Sequence, residues 1–371
     1  MTGSVFEENG SNDTLTGGGG IYTEGNSTIR DCTFTNNLAT RARGGGIRLE
    51  KSNNLVSNCL FVGNRADYGG GLYSLFHISR PFAPSLVEKC QFIGNEANAG
   101  GGIGADNPGL TVKDCVVISN SAKGGSLDLF RGGGGIDSNN GGNFLGCVIT
   151  GNTCKSEGGG INSFSRPTFE NCLIENNRSE MEGGGCRTVQ DATFRYCTFV
   201  NNAASLGNEI VADQAFAYPE SGADPIVANC VVWSASPNPI VELGTSIVHV
   251  SYSNISGGWP GEGNIDADPL FVDPPKGNFR LLSNSPCIDN ASAEGPPTDF
   301  EGNPRPVDVV GRGTEGPGAF DMGAYEFQIP AGDLNSNGVF EPLDLFIFGR
   351  DWMKATDVSG REGRSNGFGV P

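Results

Sequence analysis

Apolar residues in this chain recur in fixed slots about 25 residues apart, with no helical spacing between them. Residues 158–182 read GGGINSFSRPTFENCLIENNRSEME, and residues 183–207 read GGGCRTVQDATFRYCTFVNNAASLG. Laid on one another they agree slot by slot: Ile161 with Cys186, Phe169 with Phe194, Cys172 with Cys197, Ile174 with Phe199, Asn177 with Asn202. Self-similarity at this period is the mark of a solenoid.

The slots extend over most of the chain. An apolar residue follows each glycine run at Ile21, Ile47, Leu72, Ile103, Ile136, Ile161 and Cys186, and a degenerate run precedes Ile210. A cysteine slot holds Cys32, Cys59, Cys90, Cys115, Cys147, Cys172, Cys197 and Cys230. Apolar residues stand three before and two after each cysteine, and an asparagine stands five after it from Asn37 to Asn202. The period-2 relation between cysteine and the next apolar slot puts both on one strand face, and the β-branched and aromatic bias fits strands. A coil of this length has room for three short strands, each paired with its counterpart about 4.8 Å away in the next coil. The expected fold is all-β: a parallel β-helix of at least eight coils, right-handed by the rule for parallel crossovers. The glycine runs fit one sharp corner. The asparagines fit the opposite corner in the left-handed conformation, with side chains bonded along the axis.

Composition changes little in this picture. The 58 glycines follow the repeat. Ten of the eleven cysteines fall in core slots, Cys154 in the small-residue slot after the asparagine and Cys186 in the isoleucine slot, so buried thiols are expected. Only Cys287 stands outside the pattern. A net charge of −18 excludes a nucleic-acid footprint, and no apolar run is long enough for a transmembrane helix. No export signal is visible, and Ser4–Asn9 already reads as the second half of a repeat, so a truncated N-terminus is expected.

Function in a solenoid usually sits where the pattern breaks. Three insertions break it, near Leu75–Pro84, Lys123–Arg131 and Ala212–Ala223, with Phe82, Phe130 and Tyr218 as aromatic candidates for stacking on sugar rings. The residue after each glycine-run slot is expected to point outward. That column contains Tyr22, Arg48 and Tyr73, and forms a candidate polysaccharide-binding face. Asp106, Asp128 and Asp137 are the best placed carboxylates for glycoside hydrolysis, though aspartate is also a default turn residue. Two histidines far apart leave no zinc signature.

After Cys230 the spacing fails. The set DPLFVD, SPCID, FEGNPRP and MGAYEF resembles the ends of secreted bacterial right-handed β-helix proteins of the choice-of-anchor type, whose fold is pectin-lyase-like. The upstream coils resemble, more loosely, the repeats of polymorphic outer-membrane proteins. The first resemblance implies a segment that closes the helix and precedes a surface attachment, with Trp259, Phe271, Phe279 and Leu281 covering the open end. Beyond Pro330, oxygen donors stand at calcium-loop positions: Asp333, Asn335, Asn337, Glu341 and Asp344, with Gly338 at the turn and the carbonyl of Val339. This loop resembles half of a type I dockerin, which implies Ca2+ and a cohesin-like or surface-anchoring partner; residues 355–371 show no second loop.

The expected organisation is a β-helix over residues 1–254, a cap and anchor-type segment over 255–330, a calcium loop with a short helix over 331–354, and a flexible tail from 355. The expected function is a secreted or cell-surface, non-catalytic scaffold for adhesion to polysaccharide or a cell-surface glycan. The alternative is a polysaccharide lyase or glycoside hydrolase.

Overall fold

The computed structural model describes residues 1–13, 17–76, 84–124, 132–214, 223–236, 238–336, 338–339, 341 and 344. Coils up to residue 182 contribute four short strands, one more than the spacing suggested, and later coils three. In the coil 158–182 they are Ile161–Ser163, Thr168–Glu170, Leu173–Glu175 and Arg178–Ser179. Stacking the coils gives four parallel sheets, named here A to D in that order, with nine, nine, ten and seven strands. The fourth strand escapes a sequence reading because it spans only two residues in most coils and shows one apolar slot, too short for alternation to appear.

Register places equivalent slots on one another throughout, as in Phe6 with Phe34, Phe34 with Phe61 and Phe61 with Phe92. Their rings stack at 4.8, 4.8 and 4.6 Å, close to the strand spacing. The core volume is shared between sheets B and C. Where sheet C supplies Phe34, Phe61 or Phe92, sheet B supplies Ile29, Val56 or Val87; where sheet B supplies Phe144 or Phe169, sheet C supplies Ile149 or Ile174. One coil carries two phenylalanines, Phe194 and Phe199, edge to face at 5.2 Å. In that coil the isoleucine slot of sheet A is Cys186, the smaller residue. Complementary sizes across facing positions keep the interior filled. Cys186→Ile is therefore expected to overpack this coil and lower stability by about 1–3 kcal/mol, read as a drop in the urea midpoint. The reverse change in the equivalent slot of the preceding coil, Ile161→Cys, removes volume instead.

All eleven cysteines are buried free thiols, Cys287 included. The asparagine column is also buried, and here the corner assignment is corrected. The left-handed residue is the one before it: Asn36, Gly63, Gly94, Ser119, Gly151, Asn176 and Asn201, with φ from +53° to +63°. The ladder asparagines point inward instead. Each Nδ2 donates to the next coil's Oδ1, at 2.8 Å from Asn37 to Asn64 and 2.9 Å from Asn177 to Asn202. The next coil has no asparagine to continue. Glu209, standing where other coils have the third glycine, takes the last donor: Asn202 Nδ2 to Glu209 Oε2, 2.5 Å.

The C-terminal segment does more than cover the open end. Trp259 does pack against the last coils of the main core. Phe271, Phe279 and Leu281 belong elsewhere, to a second apolar cluster on the outer face of sheet C, built on Leu173, Val200 and Val231. Arg305 of the NPRP run anchors it. Its guanidinium, fully buried, donates to Glu326 at 2.7 Å and to Asn171 of the helix at 3.1 Å, and lies 4.3 Å from the Tyr196 ring centre. The Ala324 N–H donates to Thr198 Oγ1 at 2.9 Å, closing the same seam. So the NPRP and AYEF motifs meet in one buried ion pair that docks the segment on the flank of the solenoid.

Candidate functional site

The column after the glycine-run slot is not an exposed face. Tyr73, Asp137 and Asn162 are fully buried, Arg48 and Arg187 nearly so, and Tyr22 is half-buried. These side chains do leave the core, but the chain entering each glycine corner passes over them. A Cβ on Gly104 would meet the Tyr73 ring at 2.8 Å and Gly69 backbone at 3.2 Å, and one on Gly132 would meet Asn162 at 3.0 Å. The Arg43 guanidinium lies 4.9 Å from the Tyr73 ring centre and hydrogen-bonds its hydroxyl. Arg48 pairs with Glu50, and Arg187 with Asp213 and Glu182. Tyr22 donates to Glu24 or Glu50, each 3.1 Å away. Burial, and then the Asp106 charge, push the Tyr73 phenol well above its ordinary range, so it stays protonated.

The catalytic candidates are engaged in the same layer. The Asp106 carboxylate accepts from the Tyr73 hydroxyl and lies 3.8 Å from Arg43. Asp137 accepts from Asn162 at 2.9 Å and Asn139 at 2.8 Å. Both oxygens of Asp137 thus hold amide donors, which suits a structural carboxylate. Asp128, Phe82, Phe130 and Tyr218 lie outside the described residues, as does most of each insertion.

An exposed candidate face lies on sheet D. Two adjoining recesses of about 360 and 320 Å3 run along its outer surface and share Glu96 and Lys123. Together they form one lane across successive coils, lined by Arg41, Arg65, Lys123, Lys155 and Arg178. The register explains the alignment: Arg65 pairs with Glu96, Glu96 with Ser121, Ser121 with Thr153, and Thr153 with Arg178. Side chains at these positions point out, while the small residue between them, such as Ala97, Ala122 or Cys154, points in. Arg65 and Lys123 both pair with Glu96, whose carboxyl is held below its usual range chiefly by the Lys123 hydrogen bond. Among the described residues Arg41, Lys155 and Arg178 make no ion pair, and all three are exposed. Burial pushes the thiol of Cys154, beneath the lane, up to about 11, so it stays protonated at neutral pH. The signal was present in the chain: Arg65 and Arg178 stand one residue, and Lys123 and Lys155 three residues, past a ladder asparagine, while Arg41 stands four past Asn37.

Comparison with known proteins reaches the first coils. Residues 1–165 match a protein family described as right handed beta helix region. That match and the run of parallel sheets support a right-handed β-helix. No curated protein and no solved structure matches the chain.

At the far end, the loop beginning at Asp333 is closed by its two terminal carboxylates. Asp333 Oδ2 accepts the Gly338 N–H at 2.7 Å, and Asp344 accepts the N–H groups of Leu334, Asn335 and Glu341 at 2.9, 3.2 and 2.7 Å. Asp333 Oδ1 is buried without a hydrogen-bond partner. Asn335 and Glu341 are half-buried, with Asn335 Nδ2 donating to Glu341 at 3.3 Å, and Val339 is exposed. Asn337 and the expected helix after the loop lie outside the described residues, apart from Asp344. No group of three or more His, Cys, Asp or Glu that could hold a metal ion occurs among the described residues. Nor does any described helix suffice to cross a membrane.

Proposed function

We propose that this chain is a non-catalytic scaffold of the cell exterior that holds an acidic polysaccharide along the outer face of sheet D. One observation carries the reading. In a chain of net charge −18 with 24 Lys and Arg, five cations line a single open lane that crosses successive coils. An extended polymer with a repeating anionic group is the complement of such a lane, since the coil spacing repeats the positive charges along it. The carboxylates of Asp67, Glu96 and Glu180 interrupt the lane and give it sites for sugar hydroxyls.

The tail loop adds an attachment element in this reading. Ca2+ held by Asp333, Asn335, Asn337, the Val339 carbonyl, Glu341 and Asp344 would supply the charge that the orphaned Asp333 oxygen lacks, and would rigidify the loop for a cohesin-like or other surface-anchoring partner.

The test is titration of polygalacturonate, with a neutral glucan as control, against the chain and its Lys155→Glu/Arg178→Glu variant. The variant is expected to bind the acidic polymer at least about tenfold more weakly. Binding by the unaltered chain is expected to weaken as salt rises, with no new reducing ends or unsaturated product. Equal affinity of both proteins, or equal binding of the neutral glucan, would contradict the reading.

A further inference from the structure

We infer that Asp289 and Asp308 form a second divalent-cation site of the calcium type, separate from the tail loop. Asp289 follows the SPCI run and its side chain is fully buried. Its Oδ2 accepts the Val309 N–H at 3.0 Å, which turns the carboxylate toward the 308–316 loop. Its Oδ1 is buried with no partner. Asp308, whose charge acts on Asp289, repeats this arrangement. Oδ2 accepts the Gly316 N–H at 3.0 Å, and Oδ1 is buried with no partner.

Two hydrogen-bond-satisfied carboxylates that each leave one buried oxygen bare are an unbalanced arrangement. A buried carboxylate is balanced by a paired charge, a metal or a proton. The cations nearest in sequence are committed elsewhere: Arg305 to Glu326, Asn171 and two carbonyls, and Arg312 to the Ser283 carbonyl at 2.8 Å. The charges that act on Asp289 are those of Asp308, Glu326 and Glu315, all negative. Glu315, exposed at the rim, accepts the Gly311 N–H at 2.8 Å and stays outside the pair.

The loop is also built to come close. The Thr314 N–H donates to the Asp289 carbonyl at 2.6 Å, and a Cβ on Gly313 would lie 2.1 Å from that oxygen, so only glycine permits this wrap. Hard oxygen donors, carboxylate, carbonyl and water, in a compact loop are what Ca2+ takes. The tail loop adjoins this one through the Val310 N–H and the Ser336 carbonyl at 2.8 Å, so the two sites are neighbours with separate ligands.

The experiment uses the full chain with Asp333→Asn/Asp344→Asn, titrated with CaCl2 by calorimetry and by melting. One equivalent of Ca2+ is expected to bind and to raise the melting midpoint. Adding Asp308→Asn, which keeps an acceptor for the Gly316 N–H, is expected to weaken that binding at least about tenfold. As a check that does not depend on the tail variant folding, Asp308→Asn alone is expected to lower the bound Ca2+ of the unaltered chain by one equivalent. Unchanged stoichiometry and affinity with Asp308→Asn, or no Ca2+ bound by a folded tail variant, overturns the inference. Loss of binding in the tail variant's own site bears only on the attachment loop.

Discussion

Asn120→Ala is expected to lower the unfolding free energy by about 5 kcal/mol, the summed cost of the buried groups it orphans at roughly 1–3 kcal/mol each. Asn120 sits mid-ladder with no solvent exposure. Its Oδ1 accepts both the backbone N–H and the Nδ2 of Asn95, each at 2.9 Å. Its Nδ2 donates to the Phe92 carbonyl at 2.9 Å and to Asn152 Oδ1 at 3.0 Å. Alanine removes all four bonds and strands two donors of Asn95. Because the backbone pairing of each coil runs past this column, the loss is felt by the coils on both sides. Thr40→Ala on the exposed side of sheet D is the control and is expected to change stability by less than about 0.5 kcal/mol. Urea unfolding of the three proteins checks this; a loss under about 1 kcal/mol for Asn120→Ala would show that the ladder is decorative.

The ladder's last rung sets a pH dependence. Burial pushes the Glu209 carboxyl from 4.5 to about 8, because the side chain is fully enclosed and the hydrogen bonds it accepts, chiefly from Asn202, offset only part of that cost. Its other oxygen, Oε1, is buried and has no partner. The folded pKa lies above the unfolded one, so the folded chain keeps this proton where the unfolded chain has lost it. The contribution is fully present below pH 4.5 and is lost as pH rises to about 8. A shift of that size corresponds to about 5 kcal/mol across the window. Glu209→Gln keeps an acceptor for Asn202 and cannot ionise. The variant is therefore expected to match the unaltered chain near pH 4.5 and to exceed its stability by several kcal/mol at pH 8.5. Melting curves over this range give the difference directly, and parallel curves for the two proteins would place the Glu209 proton elsewhere.

Much of the fold was legible because a solenoid writes its core as columns. The cysteine, phenylalanine and asparagine slots all lie inside, and even Cys186 is explained by the two phenylalanines of its own coil. What the columns do not show is which neighbour covers an outward side chain. Tyr73 reads as exposed from its slot, yet Arg43, thirty residues earlier, and the Gly69 corner close over it. The same limit hid the docking of the C-terminal segment. Arg305 and Asn171 are 134 residues apart, and nothing local in either names the other. The cation lane was hidden differently. Arg65, Lys123, Lys155 and Arg178 flank a slot read only for its small residue, two of them before it and two after it, so no single column of the alignment collects them.

Lysine acetylation of the folded chain, with and without polygalacturonate, tests the central claim most directly. Lys123 and Lys155 face the lane, whereas Lys51, Lys89, Lys113 and Lys276 lie on other faces. Bound polymer is expected to protect Lys123 and Lys155 and to leave the other four as reactive as before. Protection confined to those other lysines, or uniform reactivity with the polymer bound, would place the binding face elsewhere on the solenoid.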